Sequence, residues 1–496
     1  MTRRSTPLLA VGVVLSLLGP LRAVAATAAG VRERDPPNIV LVVTDDQRWD
    51  TLSFMPNVQH LIEHGRVFPN AFVPDPLCCP SRTSILTGNY SHTTGVYTNR
   101  GHGGFRAFHD RRTIATALAP MYRTGLVGKY LNGFPNEDYR YVPPGWDSWV
   151  VIGGGRYYDY DLAINGRRSR HFGTSADEYS GRVLTERALA FVTRPSDRPF
   201  FLLFAPVAPH AAVGTGIPIP DPMDDGMLDG TIFEHPPSYN EMDVTDKPPF
   251  IQQTATEDLP LLPQKQIEAL LGVDRSIGLL LDAVPDNTLV ILTSDNGFLL
   301  GEHRWRGKNV PYNESIRVPL VLRCVRCRLV EPASEDARFA LNIDFAATIL
   351  DAAGLPRDTP TAIDVTTREP VAPAGRSLLR DRWVRTAFVL EHVGRLDKVP
   401  SFCGVRSADH LFVHYADGFE EVYDEQADPW EMDNIAGEEA APTDALRAQA
   451  VALCDPVPPG FTWPVEHASV TPPDEGSLGS RGCSSRPERS TSWGCR

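Results

Sequence analysis

A short stretch around two adjacent cysteines combines a sulfur nucleophile with an arginine at helical spacing. Pro80 suits the first position of a helix, where its missing N–H costs nothing, and Gly88 suits a helix end. Cys78 is then predicted to lie just before a helix N-terminus, whose free N–H groups and positive dipole end favour an anion. Arg82 follows at helical spacing and can share its face. The stretch favours a reactive anion site; the alternative is a structural helix whose cysteines are buried or disulfide-bonded.

Apolar runs elsewhere in the chain end at polar residues that are capable of chemistry. The runs 39–43, 125–128, 200–204 and 289–294 lead, in that order, to Asp45 and Asp46, to Lys129, to His210, and to Asp295 and Asn296. Continuous apolar runs are typical of parallel strands buried on both faces. Ligand sites in open α/β sheets lie beyond the carboxyl ends of such strands, so we expect these polar residues to meet at one edge.

The acidic residues in this set offer only oxygen ligands. Asp45, Asp46 and Asp295 supply carboxylates and Asn296 supplies an amide oxygen. This inventory suits Ca²⁺ or Mg²⁺ and does not suit zinc. Each pair alone would more simply be a helix cap or a turn. Two such pairs after two predicted strands favour a metal site.

The cysteine stretch resembles a known signature. Cys78, Pro80, Ser81 and Arg82, followed by Leu86-Thr87-Gly88, look like the motif of formylglycine-dependent sulfatases of the alkaline-phosphatase superfamily. The resemblance implies that a formylglycine-generating enzyme converts Cys78 to an aldehyde-bearing formylglycine before folding. It also implies a divalent cation, calcium rather than magnesium, at five positions: Asp45, Asp46, Cys78, Asp295 and Asn296.

The same resemblance assigns roles to further positions. It implies that Arg82, Lys129, His210 and Lys308 act on the sulfate or the leaving group, with His303 as a weaker substrate-binding candidate. Many family members carry a histidine where this chain has Leu131. The run 128–132 and the double cysteine instead resemble the branch of N-acetylglucosamine-6-sulfatases and arylsulfatases, so the usual pair of proton-transferring histidines is in doubt.

The resemblance implies a two-step mechanism on a small-molecule or carbohydrate sulfate ester. One hydroxyl of the hydrated formylglycine attacks sulfur, and the other then expels sulfate and regenerates the aldehyde, which divides one hard displacement into two easier steps. Two alternatives remain. One is a phosphonate monoester or phosphodiester hydrolase of the same superfamily, and the other is an inactive protein that binds sulfated glycans with Cys78 unconverted.

Composition and patterning predict the organisation of the 496-residue chain. Residues 1–25 read as a secretory signal peptide, with a basic start, an apolar core and a small-residue cleavage site. We expect a catalytic domain over 36–380, a subdomain over 381–455 and a Pro/Ser/Gly-rich tail over 456–496. The predicted fold is α/β: a large mixed, mostly parallel sheet covered by helices on both faces, with a small C-terminal antiparallel sheet.

Charge and cysteine content narrow the partners and the compartment. A net charge of −14 argues against nucleic-acid binding and disfavours steering of a polyanionic polymer. No later apolar run is long enough for stable membrane insertion, so we expect an exported protein. Export favours disulfides, with Cys403–Cys454 and Cys483–Cys495 as predicted pairs. The pair at 324 and 327 could instead be half of a zinc knuckle, although no second half stands at suitable spacing.

Overall fold

Apolar runs of the sequence form the strands of the structure, a computed structural model that describes residues 35–134, 138–324, 327, 329–394 and 399–464. The strands, in chain order, are β1 Asn38–Thr44, β2 Arg66–Val67, β3 Ala71–Phe72, β4 Arg123–Lys129, β5 Ser148–Ile152, β6 Ala163–Ile164, β7 Arg167–Arg168, β8 Phe200–Ala205, β9 Thr288–Ser294, β10 Leu299–Leu300, β11 Arg306–Gly307, β12 Leu320–Arg323, β13 Ser334–Glu335, β14 Ala340–Leu341, β15 Ala362–Ile363, β16 Pro370–Val371, β17 Ala387–His392, β18 Phe402–Ser407, β19 His410–Tyr415 and β20 Glu420–Asp424.

Helices lie in six of the connections between these strands, and one more follows the last strand. The α-helices are α1 Pro56–Glu63, α2 Cys78–Thr87, α3 Ser91–Thr94, α4 Ile114–Leu118, α5 Ser180–Val192, α6 Pro249–Gln252, α7 Leu261–Ala283, α8 Asn313–Ile316, α9 Asp344–Ala352 and α10 Thr443–Leu453. Short 3₁₀ turns occur at Trp49–Phe54, Gly101–Gly103, Phe105–Ala107 and Ala176–Glu178.

The large sheet has ten strands in the order β13-β2-β12-β9-β1-β8-β4-β5-β6-β7. The five strands from β9 to β5 are mutually parallel, whereas β12 and β6 pair antiparallel with their inner neighbours. Thr44 at the end of β1 pairs with Ser294 at the end of β9. This register places the residues that follow both strands side by side at the carboxyl edge.

Alternation along the central strands supplies apolar side chains to both faces of the sheet. Ile39, Leu41 and Val43 of β1 join a core with side chains of α2, α4 and α9, and Val40 and Val42 join a second core with α1, α5 and α7. Burying an apolar side chain of this size stabilises the fold by about 1.5–3 kcal/mol. The predicted α/β fold, with a mostly parallel sheet covered on both faces, is confirmed.

The C-terminal part forms the predicted antiparallel sheet. Strands β17 to β20 pair in sequence order, and α10 packs on them through Leu446 and Ala450. The predicted disulfide between Cys403 of β18 and Cys454 after α10 is present. The described start of the predicted tail is ordered against this sheet, since Phe461 is buried beside Cys403. The boundary of the tail at residue 456 stays a prediction.

Other sequence predictions have mixed outcomes. Cys324 and Cys327 form a disulfide with each other, so the zinc-knuckle alternative is wrong. The predicted signal peptide over 1–25 and the predicted Cys483–Cys495 pair lie outside the described residues. The boundary between 380 and 381 stays a prediction, because the chain from Pro37 onward clusters as one compact unit. Among the described helices, none has the length and apolar character needed to cross a membrane.

Candidate functional site

The cysteine pair opens helix α2, two residues earlier than the sequence predicts. Cys78 is the first helical residue and Leu77 the cap, so Pro80 is the third residue and not the first. The first four N–H groups of a helix have no intrahelical acceptor, so a proline at this position still costs no hydrogen bond. Gly88 ends the helix with φ 70°, as predicted, and a Cβ there would crowd Pro373 and Ala346.

The Cys78 thiol lies in a closed polar environment. Its side chain is 0% exposed. Lys308 Nζ lies 2.9 Å from Sγ, and Asp45 Oδ1 lies 3.8 Å from it. Burial raises the pKa of the Cys78 thiol, although Lys129 and Lys308 oppose this shift. The unmodified side chain is therefore a neutral thiol and a weak nucleophile.

The carboxylates that follow β1 and β9 meet as the strand register requires. The backbone N–H of Asp295 donates to the carbonyl of Thr44 (3.1 Å), and that of Asp46 donates to Asp295 Oδ1 (3.2 Å). Asp46 has φ 67°, a left-handed conformation that is uncommon outside glycine and asparagine. One carboxylate oxygen from each of Asp45, Asp46 and Asp295 lies within 4.8 Å of the others.

Three cationic side chains balance these three carboxylates; Arg82 and Lys129 are buried and Lys308 is partly buried. Lys129 Nζ lies 2.5 Å from Asp45 Oδ2, Arg82 Nε donates to Asp295 Oδ2 at 2.7 Å, and Lys308 Nζ pairs with Asp46 Oδ1. Burial alone would raise the pKa of Asp45, but the neighbouring positive charges, that of Lys129 above all, lower it to about 2. Lys308 in the same way lowers the pKa of Asp46 against the effect of burial.

Glycine geometry contributes to the placement of Lys129. Gly128 has φ 123°, and a Cβ at this position would overlap the carbonyl oxygen of Ala205 on the neighbouring strand. The close approach of β4 to β8 therefore requires glycine here. Lys129 follows at the end of β4 and is only 1% exposed, so its charge is committed to this site.

The acidic group fits a hard divalent cation. Its donors are oxygens, which Ca²⁺ and Mg²⁺ prefer. Asn296 Nδ2 donates to Asp46 Oδ1 at 2.7 Å, while the buried Asn296 Oδ1 has no hydrogen-bond partner within the described ranges. This unpartnered buried oxygen beside three carboxylates is a further oxygen donor that could bind a cation. The four residues Asp45, Asp46, Asp295 and Asn296 could together hold such an ion.

His210 lies at the boundary between this group and solvent. Its Nε2 is 3.8 Å from Asp46 Oδ2, and a His210 ring nitrogen, the Cys78 sulfur and an Asp45 oxygen lie within 4.8 Å of one another. Nδ1 lies 2.7 Å from the carbonyl of Ala211 and can donate to it. Tyr157 donates its hydroxyl to the backbone carbonyl of His210 at 2.7 Å and so fixes the loop. The ring is positioned to exchange a proton with a bound group.

His303 is not brought to this group. Its ring is 0% exposed. It contacts Glu241 through Nδ1 at 2.7 Å and stacks on Tyr312 with ring centroids 4.2 Å apart. These contacts place His303 within the protein interior, next to the C-terminal sheet.

An open cleft of about 880 Å³ borders His210. Asn99 and Asn132 line it, and both also contact Cys79: Asn99 Oδ1 accepts the Cys79 backbone N–H at 2.9 Å, and the Asn132 N–H lies 3.1 Å from the Cys79 sulfur. The sequence interpretation missed these two asparagines. Asn132 belongs to the run 128–132 that carries the family resemblance, which was its signal in the sequence. Its neighbour Leu131 is 1% exposed and belongs to the apolar core.

Arginines are prominent in the lining of the cleft. They are Arg100, Arg106, Arg156 and Arg168. Arg168 is paired with Asp161, which also lines the cleft. The cleft is therefore locally rich in cations although the whole chain carries a net charge of −14. The net charge of the chain gave no indication that arginines gather in this cleft.

Comparisons with known proteins agree with this geometry. A family model described as Sulfatase matches residues 37–355, and a second, described as N-sulphoglucosamine sulphohydrolase, C-terminal, matches residues 301–450. The chain is 31% identical over 388 residues to an extracellular sulfatase SULF-1 homolog of Drosophila melanogaster, a match that covers 73% of this chain and 34% of the relative. It is 26% identical to an N-acetylglucosamine-6-O-sulfatase of Bacteroides thetaiotaomicron, covering 85% and 87%.

A solved structure gives the same result for the fold. That protein, in complex with its substrate D-glucosamine-2-N,6-O-disulfate, is 25% identical with a TM-score of 0.67, and the match covers 84% of this chain and 97% of that chain. The chain spans only 34% and 48% of the lengths of the extracellular sulfatase homologs from Drosophila melanogaster and Caenorhabditis elegans. The resemblance carried by the Cys78 motif is confirmed.

Proposed function

The chain belongs to the sulfatase family, and we propose that it is an exported sulfuric ester hydrolase that acts on sulfated carbohydrates. One observation carries the proposal: the Cys78 sulfur lies between Lys308 and Asp45, directly beside the oxygen-rich group of Asp45, Asp46 and Asp295. A nucleophile position, an anion-binding lysine and a cation site are thus combined within a few ångströms.

Two groups complete the proposed site. A formylglycine derived from Cys78 supplies a hydrated aldehyde, whose oxygen is a far better nucleophile toward sulfur than a neutral buried thiol. Asp45, Asp46, Asp295 and Asn296 would hold a divalent cation, which we propose to be Ca²⁺ and which would supply positive charge to sulfate oxygens. With three carboxylates already balanced by three cationic side chains, a bound Ca²⁺ leaves an excess of positive charge that suits a sulfate group.

Side chains of the chain itself bind the sulfate and protonate the leaving group in this proposal. Lys129, which is buried, and Lys308, which is partly buried, orient the sulfate and stabilise the negative charge that develops on its oxygens. Arg82 is fixed by Asp295 and by the carbonyl of Lys129, to which its Nη1 donates at 3.1 Å, so it keeps these groups in register. His210, at the mouth of the cleft, protonates the departing alkoxide through Nε2.

The proposed substrate class follows from the cleft. A sugar that carries its scissile sulfate at Cys78 extends past His210 into the space lined by the arginines and by Asn99 and Asn132. Arginine pairs well with sulfate and carboxylate groups, so additional anionic groups on the sugar are expected to bind there. The glucosamine disulfate bound by the structural relative is a ligand of this kind.

Peptide mass spectrometry with a substrate panel tests the proposal. Protein produced with a formylglycine-generating enzyme should carry the aldehyde at Cys78 and an intact thiol at Cys79, and it should hydrolyse glucosamine 6-sulfate. Cys78→Ala should be inactive, while Cys79→Ser is the matched control that should still be converted at Cys78. Full activity with an intact Cys78 thiol would refute the mechanism. Faster hydrolysis of an aryl phosphonate than of the matched aryl sulfate would favour the phosphonate hydrolase alternative.

A further inference from the structure

A second cluster of ligand-type side chains lies away from the candidate active site. His303, from the turn between β10 and β11, meets Glu314 of α8 and Glu431 from the segment after β20. All three are at most 1% exposed. One ligand atom from each lies within 4.8 Å of the other two. The cluster therefore joins the segment 303–314, which contains Lys308 and is called here the Lys308 loop, to the C-terminal part of the chain.

Unpartnered polar atoms concentrate in this cluster. His303 Nε2, Glu314 Oε2 and Glu431 Oε1 are buried and have no hydrogen-bond partner among the residues that the structure describes. Two further atoms of adjoining residues, Glu425 Oε1 and Asn313 Oδ1, share this condition in the same described set. Each buried unpaired polar group costs about 1–3 kcal/mol. A cation between His303, Glu314 and Glu431 would give a partner to the three unpaired atoms of the cluster itself.

His303 uses one ring nitrogen in a hydrogen bond and leaves the other without a partner among the described residues. Its Nδ1 lies 2.7 Å from Glu241 Oε2, and Lys247 Nζ lies 3.3 Å from the other oxygen of Glu241. A proton on Nδ1 leaves the lone pair of Nε2 directed away from Glu241, and metal-binding histidines almost always have a second partner of this type. His303 also adopts φ 50°, a left-handed backbone conformation that is costly for this residue type.

The ion pairs around the cluster indicate the charge of the ligand that would balance its carboxylates. Glu302 pairs with Arg48 at 2.6 Å, and Glu425 pairs with Arg406 at 2.7 Å. Within the described part of the chain, neither Glu314 nor Glu431 has an ion-pair partner of its own. Two uncompensated buried carboxylates match one divalent cation.

We propose that His303, Glu314 and Glu431 bind a structural Zn²⁺ ion. One imidazole nitrogen and two carboxylates form a donor set that suits zinc better than calcium, which prefers oxygen ligands alone. Three atoms within 4.8 Å of one another lie no more than about 2.8 Å from a common centre, so side-chain movements below about 1 Å give the usual zinc–ligand distances of about 2.0–2.2 Å. The ion would hold the Lys308 loop against the C-terminal sheet.

Elemental analysis of the intact, untagged protein tests the proposal. We expect about one zinc per chain in addition to the hard cation of the active site. Glu431→Gln and Glu314→Gln should each lower zinc content at least tenfold and leave the hard cation in place. Glu439→Gln, an exposed glutamate nearby in the chain, is the matched control and should keep both metals. Asp295→Asn should show the opposite pattern, so failure of the active-site proposal is distinguishable from failure of this one.

A second measurement covers variants that do not fold. Wild-type protein stripped with a chelator and then titrated with Zn²⁺ should bind one ion and melt at a higher temperature, and Co²⁺ in its place should give visible absorption bands typical of nitrogen and oxygen ligands. Zinc absent from the purified protein, with no binding in the titration, would overturn the proposal. Infrared bands of protonated carboxyl groups that disappear in Glu431→Gln would do the same, because they would show that protons and not a metal neutralise the cluster.

Discussion

Removal of the His210 imidazole should separate proton donation from sulfate binding. The ring lies beside the Cys78 sulfur and borders the cleft into which a leaving group departs. General acid catalysis is typically worth about 10²–10⁴-fold, or about 3–5 kcal/mol. His210→Ala should therefore lower kcat/KM for sugar or alkyl sulfates by a factor in that range.

An activated aryl sulfate provides the internal comparison. Nitrophenolate leaves almost unaided, so its hydrolysis should lose only the contact between His210 and Asp46. That contact spans 3.8 Å and its histidine side chain is 27% exposed, which limits it to about 0.2–1 kcal/mol, or no more than about fivefold. The expected signature is a loss that grows steeply with the pKa of the leaving group.

The assay is a series of kcat/KM measurements over leaving groups of graded pKa, with the parent and the variant compared. His60→Ala, which alters an exposed histidine of α1, serves as the matched control and should leave the series unchanged. Equal losses across the whole series would refute the reasoning, because His210 would then only position sulfate. The acid would next be sought at Lys308, since His303 lies in the interior.

Three further predictions concern the metal, a disulfide and the pH dependence of stability. Asp295→Asn removes a ligand-type carboxylate and the ion-pair partner of Arg82, so elemental analysis should show loss of the hard cation. The value of kcat/KM should fall more than about 100-fold, which exceeds the usual effect of changing a residue that only contacts a metal ligand. A variant that keeps its full content of the hard cation would count against the assignment. Cys454→Ser removes a disulfide that links residues 51 positions apart, and it should lower the free energy of unfolding by about 4 kcal/mol in denaturant titrations. Cys79→Ser, which changes a buried cysteine that forms no disulfide, is the comparison. Burial raises the pKa of Asp75 from 3.8 to about 6 against the hydrogen bond of His392. The contribution of this carboxyl to the free energy of unfolding is therefore largest below pH 3.8 and falls by about 3 kcal/mol as the pH rises through 6. Asp75→Asn should flatten the fall in Tm over this interval, and an unchanged slope would contradict the assignment.

The sequence predicted the central fold because its strands are long, apolar and buried on both faces. The run at 289–294 became β9, Thr288–Ser294, and the run at 200–204 became β8, Phe200–Ala205. Helix starts were harder. Pro80 indicated a first helical position, but any of the first positions tolerates proline, so α2 could begin at Cys78.

The meeting of Asp45, Asp46 and Asp295 was predictable because the strands before them were predictable. Asp45 and Asp295 directly follow two long apolar runs, so a parallel register alone brings them together. The second cluster had no such signal, because His303 and Glu431 come from irregular segments and meet only through packing of the C-terminal sheet. The cation-rich cleft was also hidden, since its arginines are scattered along the chain and the net charge is acidic.

The complete burial of Cys78 has a consequence for how active protein is produced. A thiol that is 0% exposed at the start of a helix packed into the core is out of reach of any modifying enzyme once the chain has folded. A chain would then have to be converted at Cys78 before it folds. A chain that folds first would keep its thiol. The specific activity of a preparation would report the fraction of chains converted before collapse. Slower folding, at low temperature or in mild denaturant, should raise it even with the amount of modifying enzyme held constant.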